Sequence, residues 1–224
     1  MTRRLILVRH GQTAWNAEQR AQGHADISLD ETGHAQAAAA APYLAAMRPV
    51  HVWSSDLARA RETAAYIASS AGLELETDPR LREYDVGMRS GLTVAEFAAK
   101  YPAEHAAWLA HDESRLVQGE ESSAQVRDRI LPALREFLTA LRSGETGIVV
   151  THGACLKVGL MALLEWPRAV SRTLRGMDNC GWAVLGEDEV RGVLRMVSYN
   201  ETAAVGQHPD HAIGADFASD ETDG

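Results

Sequence analysis

The chain has 224 residues, 46% of them hydrophobic and 24% charged, with a formal net charge of −9, the make-up of one globular domain with room for a small insertion. No apolar run approaches the roughly 20 residues needed to span a bilayer, and an acidic balance with no basic run argues against nucleic-acid binding. The run Leu5–Val8 behind Met1-Thr2-Arg3-Arg4 is too short for a signal-peptide core, so a cytoplasmic protein is expected.

In chain order, Leu5-Ile6-Leu7-Val8 reads as a buried strand running straight into Arg9-His10-Gly11. Asn16 to Ser28 is polar and reads as a loop. Glu31 to Met47 is alanine-rich and reads as a helix, with Asp30 as its N-cap. His51-Val52-Trp53-Ser54 is a short strand, after which Ser55 or Asp56 can cap a helix to about Ser70, ended by Gly72. Leu73–Thr77 is a strand, and Asp78-Pro79 opens a loop to about Thr93. Val94–Tyr101 and Ala103–His111 read as short helices separated by Pro102, followed by a loop over Asp112–Glu121. Ser122 or Ser123 starts a long amphipathic helix to about Arg142. Gly147–Thr151 is a strand that runs into His152-Gly153, and Ala154–Leu164 is a helix apolar nearly all round. Pro167–Arg175 reads as a short helix. Asn179–Leu185 and Val190–Ser198 form a hairpin around Gly186-Glu187-Asp188-Glu189.

Strands and helices alternate and close with a hairpin. That order predicts an α/β three-layer sandwich, a mostly parallel central sheet with an antiparallel edge and helices on both faces. Residues 1–202 are expected to make a single domain, with a small helical cap insertion at about 93–117. Residues from Glu201 on carry six acids and no Lys or Arg, leaving 25 acids against 22 bases in residues 1–200. The polar, aperiodic stretch 203–224 is therefore expected to be an acidic, mobile tail. Cys155 and Cys180 lie in no C-x-x-C pattern and read as reduced packing residues.

Two strands end in one design: an apolar run, a histidine, a glycine. Ligands of open α/β sheets bind at that carboxyl edge, where a glycine lets backbone come close to a ligand. In Arg9-His10-Gly11-Gln12-Thr13, with Asn16 nearby, a neutral imidazole is a fair nucleophile. Arg9 offers charge, and Thr13 and Asn16 offer neutral donors, which is what phosphoryl transfer asks of a protein. Arg59 falls in the first turn of a helix after a strand and adds charge at the same edge. In Leu81-Arg82-Glu83-Tyr84-Asp85-Val86-Gly87, either Glu83 or Asp85 could give a proton to a leaving oxygen, and residue type does not choose between them. His152 is the second imidazole. A metal reading fails, because His10 and His152 lack carboxylates at ligand spacing and Arg9 would repel a cation.

These segments together resemble the histidine phosphatase superfamily, whose best-known branch is the cofactor-dependent phosphoglycerate mutases. R-H-G-Q-T with W-N, S-S-D-L-x-R-A-x-x-T-A, L-R-E-x-x-x-G and T-H-G occur in the family's order and spacing, from Leu5 to about Trp182. The resemblance implies that His10 is the nucleophile and that Arg9, Arg59 and His152 hold the phosphoryl oxygens. It implies a hydrogen bond from Asn16 and a backbone N–H from Gly153, and it selects Glu83 as the general acid. Gln22-Gly23 matches the edge of the phosphate loop, and Asn179-Cys180-Gly181-Trp182 matches a late strand start, for which only packing is expected. Many members carry W-x-G after the acid's glycine; here Met88-Arg89-Ser90-Gly91 stands there. Arg89 then either meets a second anionic group of the substrate or faces solvent. Gly119-Glu120-Glu121-Ser122 replaces a common G-G-E-S, a change expected to matter little.

The mutase branch carries a longer basic insertion after the acid, whereas Gly91 to Gln118 holds only Lys100 and Arg115 as bases. A mutase must hold a doubly anionic intermediate, so the expected activity is a phosphomonoesterase acting through phosphohistidine on a small phosphorylated metabolite. A cofactor-dependent phosphoglycerate mutase is the alternative. A non-catalytic phosphate-binding module is the second alternative, but its mark would be loss of His10, His152, Arg59 or Glu83, and all four stand. The expectation carries no cofactor, no metal, no membrane or nucleic-acid partner, and a monomer or homodimer. Phe97, Tyr101 and Trp108 are candidates to line the cap, although aromatics at helical spacing also make core.

Overall fold

The computed structural model describes residues 2–188 and 190–203. Six strands form one sheet: β1 (Arg4–Arg9), β2 (Pro49–Ser54), β3 (Leu75–Thr77), β4 (Thr146–Thr151), β5 (Trp182–Asp188) and β6 (Val193–Glu201). Their order is β3-β2-β4-β1-β5-β6. The first four run parallel, and β5 pairs antiparallel with β1 and with β6. The helices are α1 (Ala14–Ala17), α2 (Glu31–Ala46), α3 (Ala58–Ala71), α4 (Val94–Lys100), α5 (Pro102–Leu109), α6 (Ser123–Ala140) and α7 (Gly153–Leu163).

Side chains alternate across the sheet with the period of two that a strand imposes. Leu5 and Leu7 of β1 enter one core with α6 and α7, while Ile6 and Val8 enter the other with α2 and α3. Both cores are closed over, so the central strands carry continuous apolar runs. The three-layer architecture follows directly. Ala203 still packs in the second core; the acidic stretch after it lies outside the described residues.

Local details depart from the sequence reading where a distant partner supplies what a neighbour was expected to give. Helix α3 starts later than either expected cap, Ser55 or Asp56, with Leu57 as N-cap and no cap from its own side chain. The Ala58 N–H instead donates to Asp26 Oδ1 at 2.6 Å, while Asp56 pairs with Arg82. The stretch Ala14–Ala17 is one helical turn, closed by a reciprocal Thr13–Asn16 capping box. Residues Arg168–Thr173 form 3-10 turns rather than an α-helix. The hairpin turns later than expected: Gly186, Glu187 and Asp188 belong to β5, and Asp188 accepts from the Val190 and Arg191 N–H groups at the turn.

Among the described residues, no helix is long and apolar enough to cross a membrane.

Candidate active site

β1 and β4 are adjacent and parallel, with Arg9 in register with Thr151. Register alone therefore sets the next residues, His10 and His152, side by side at the carboxyl edge. Their ring centroids lie 5.2 Å apart, and both side chains are buried. Burial first, then the positive guanidinium of Arg59, hold both imidazoles well below their ordinary pKa; Arg9 adds to this at His10. Both rings are accordingly neutral at pH 7.

Their tautomers differ. His10 Nδ1 lies 2.7 Å from the Gly11 carbonyl oxygen. A carbonyl only accepts, so Nδ1 carries the proton and Nε2 keeps a lone pair. His152 Nδ1 accepts from Arg59 Nε at 3.1 Å, so its proton sits on Nε2 and is donated to Ser55 Oγ at 2.9 Å.

The arginines are held differently too. Arg59 is fully buried, and its two terminal nitrogens donate to the carbonyls of Gly23 and Ala25, each at 2.8 Å. Gly23 has φ +50°, and a Cβ there would come within 2.5 Å of Val86, so glycine is required for that carbonyl to face Arg59. Arg9 donates through Nη1 to Met177 O at 2.6 Å, while its buried Nε has no partner among the described residues. That Nε would lie 3.4 Å from a Cβ on Gly153, so the unpaired donor faces the start of α7, a helix N-terminus suited to anions.

Glu83 is buried against the same helix start. Its carboxylate accepts from the backbone N–H groups of Tyr84, Ala154 and Cys155 at 2.9, 3.0 and 2.8 Å. The structure thereby separates the two acids that residue type could not. Asp85 lies on the outer side, accepting from the Gly87 N–H and 3.6 Å from His24.

Thr13 and Asn16 cap α1, and Asn16 Oδ1 is occupied by that box. Asn179 Nδ2 donates to the His10 carbonyl at 3.0 Å and reaches Asn16 Oδ1 at 3.5 Å. Asn179, expected only to pack, thus fixes the backbone of His10. Ser55, expected as a helix cap, is the acceptor of His152. Neither was visible beforehand, because both act across the sheet edge and not within their own segments. Gln22 is buried beside Gly23, with its Oε1 unpartnered among the described residues.

Gly11 serves packing more than ligand approach. A Cβ there would meet Gly33 O at 2.7 Å, so this glycine lets the loop after β1 lie against the first turn of α2.

Arg89 does not face solvent. Its side chain is 11% exposed, 3.2 Å from Glu120, with its guanidinium 5.5 and 5.3 Å from the ring centroids of Phe97 and Trp108. Phe97 is core, whereas Trp108 lines a cavity of about 1020 Å³ together with Arg89, Glu83 and Ala154. The cavity meets the histidine site through Glu83 and Ala154. Among the described residues, no group of three or more His, Cys, Asp or Glu is placed to hold a metal.

The chain and its fold have close relatives among known proteins. The chain is 38% identical over 190 residues to glucosyl-3-phosphoglycerate phosphatase of Mycolicibacterium vanbaalenii, covering 82% of this chain and 84% of that protein. It is 42% identical over 156 residues to a metal-independent phosphoserine phosphatase of Arabidopsis thaliana, covering 68% and 65%. Its fold superposes on a solved mycobacterial glucosyl-3-phosphoglycerate phosphatase in complex with VO3, at a TM-score of 0.80 and 34% identity, covering 89% of this chain and 100% of that one. The sequence pattern of the histidine phosphatase superfamily (branch 1) matches residues 5–201, so by sequence and fold this chain belongs to that superfamily.

Proposed function

We propose that this protein is a cytoplasmic phosphomonoesterase that passes the phosphoryl group of a small metabolite through His10 to water. The observation that carries the reading is the state of His10: neutral, proton held on Nδ1, lone pair on Nε2, with two guanidiniums beside it. In the first half-reaction Nε2 attacks phosphorus, the P–O ester bond breaks, and Glu83 gives its proton to the leaving oxygen. In the second, Glu83 takes a proton from water as the water oxygen attacks phosphorus and the N–P bond breaks. Arg9, Arg59, Asn16 and the Gly153 N–H hold the three equatorial oxygens, and His152 joins them by turning its Nε2–H from Ser55 Oγ to the phosphoryl group. Thr13 shapes the loop that presents Asn16, and Gln22 and Gly23 form the edge of the phosphate site. An arriving dianion favours protonation of the carboxyl beside it, so the substrate itself readies the acid.

The leaving group lies in the cavity of about 1020 Å³, at the upper end of the usual 300–1,000 Å³ of small-molecule sites. That space suits a group larger than glycerate, such as the glycosylated phosphoglycerate named for the mycobacterial relatives. Residues 93–117 act as the cap over it, with Arg89 held ready for a second polar group of the substrate. Eight carboxylates line the cavity against five cations, a poor setting for a bisphosphorylated intermediate, which favours hydrolysis over mutase turnover. The two buried free thiols, Cys155 and Cys180, fit a reducing compartment.

The test is a trapping experiment with a phosphate-release panel. A labelled phosphomonoester should leave an acid-labile, base-stable phosphoenzyme, and glycosylated or sugar phosphates should turn over fastest. Phosphoglycerate mutase activity above phosphate release would overturn the hydrolytic reading.

A further inference from the structure

The acid loop is held from a helix that the reaction does not otherwise use. Arg129 lies on α6, 46 residues from Glu83 in sequence. A guanidinium has five N–H donors in a fixed fork, and here all five are used. Nη1 donates to the carbonyls of Arg80 and Arg82 at 2.9 and 2.6 Å. Nη2 donates to the carbonyl of Glu83 at 2.7 Å and to Glu121 Oε2 at 2.8 Å, and Nε donates to Glu121 Oε1 at 2.9 Å. Glu121 extends the grip, because its Oε2 also accepts the Asp85 N–H at 2.8 Å. From the opposite side, Thr151 at the end of β4 donates to the Leu81 carbonyl at 2.6 Å. Both ion-pair side chains are 19% exposed, which sets them apart from the solvated surface pairs that contribute little.

We propose that Arg129, backed by Glu121, is a positioning residue: it fixes the main chain on both sides of Glu83, so that the carboxylate seats on the Ala154 and Cys155 N–H groups beside the leaving oxygen. The inference rests on the reading of Glu83 as the acid. The backbone of residues 80–85 has no helix or sheet ladder of its own beyond a single 3-10 turn at Pro79–Leu81. Without Arg129, the carbonyls of Arg80, Arg82 and Glu83 would each lose its donor, the Glu83 carbonyl would keep only His24 Nε2 at 2.8 Å, and the loop would loosen around its remaining tie to Thr151. A shift of ~1 Å in a reacting group can cost about a hundredfold in rate. Lysine cannot replace the fork, having one point charge and three donors.

The test compares Arg129→Lys and Glu121→Gln with the parent protein on two substrates, an alkyl phosphate that needs the proton and 4-nitrophenyl phosphate that does not. Arg129→Lys should lose about tenfold or more in kcat on the alkyl ester and under about threefold on the aryl ester. Glu121→Gln should show the same split, more weakly. Both should keep the parent near-UV circular dichroism and nearly the parent KM. Equal fractional losses on the two substrates would overturn the proposal in favour of a purely structural role, as would failure of both variants to fold. Glu83→Gln separates the layers: no substrate split there would sink the reading of Glu83 as the acid and this inference with it. A split in Glu83→Gln, with none in the Arg129 and Glu121 variants, would sink this inference alone.

Discussion

His10 and His152 end neighbouring parallel strands in matching sequence, both are buried, and both are neutral at pH 7, yet they hold their protons on different ring nitrogens. His10 spends its Nδ1 proton on its own neighbour, Gly11 O, and keeps Nε2 open. His152 has both nitrogens engaged, by Arg59 and Ser55. The difference lies in what faces each ring and not in the strands that carry them. A local carbonyl leaves His10 with a free lone pair, as a nucleophile needs, and a distant arginine–serine pair fixes the orientation of His152. The sequence had suggested His152 as a charge partner. The geometry gives it a neutral ring oriented by Arg59, able to gain charge only as an anion arrives.

Removing each imidazole sharpens this contrast most. His10→Ala should lower kcat/KM by about 10⁴-fold or more, as loss of a nucleophile does, and should abolish phosphoenzyme labelling. His152→Ala should cost about 10²–10³-fold, the scale of one lost transition-state donor, and should still label slowly on His10. Equal losses with no label in either variant would break the asymmetry. A smaller effect is expected where His152 is only released from its acceptor. Ser55→Ala removes about 1 kcal/mol of hydrogen bonding and should cost roughly fivefold in rate. Nitrogen-15 NMR should still show the His152 proton on Nε2, because Arg59 continues to donate to Nδ1. A loss as large as that of His152→Ala would place Ser55 itself at the reacting atoms.

The smallest effect is on stability, and its sign follows from the depressed pKa of both rings. Unfolded histidine binds a proton near pH 6.5, while the folded rings resist it until the pH is well below that value. Below pH 6.5 the unfolded chain therefore binds more protons than the folded one. Stability is fully present above about pH 6.5 and falls as the pH drops, by on the order of 1 kcal/mol per pH unit for each ring. Thermal melts across this range should show the slope, and His152→Asn should flatten it. An unchanged slope would mean that His152 does not titrate in this way.

The strands and most helix limits were legible because each rests on local pattern: the four-residue apolar run of β1, the Asp30 cap, the helix-ending Gly72. The legible part of the site was the part with local chemistry, His10 with Arg9, His152 with Gly153, and Arg59 in a first turn. Misread features share one cause. Ser55 looked like a cap because capping is a local habit, but Asp26, 32 residues away, caps α3. Asn179 was expected only to pack, and Arg89 was left between substrate and solvent, for the same reason: their partners come from other elements. In Gly119-Glu120-Glu121-Ser122 the change from the common pattern was expected to matter little, and nothing local in that segment showed that Glu121 pairs with Arg129 of α6.

By itself the sequence determined which residue types stand at the carboxyl edge and in what order, because apolar runs, glycines and caps are short-range signals. Only the tertiary structure decided which nitrogen of each histidine holds its proton and which of two acids meets the helix start. A proton goes to the ring atom that faces an acceptor. For His152 that acceptor, Ser55, and the opposing donor, Arg59, come from 97 and 93 residues away, a distance that no local pattern spans.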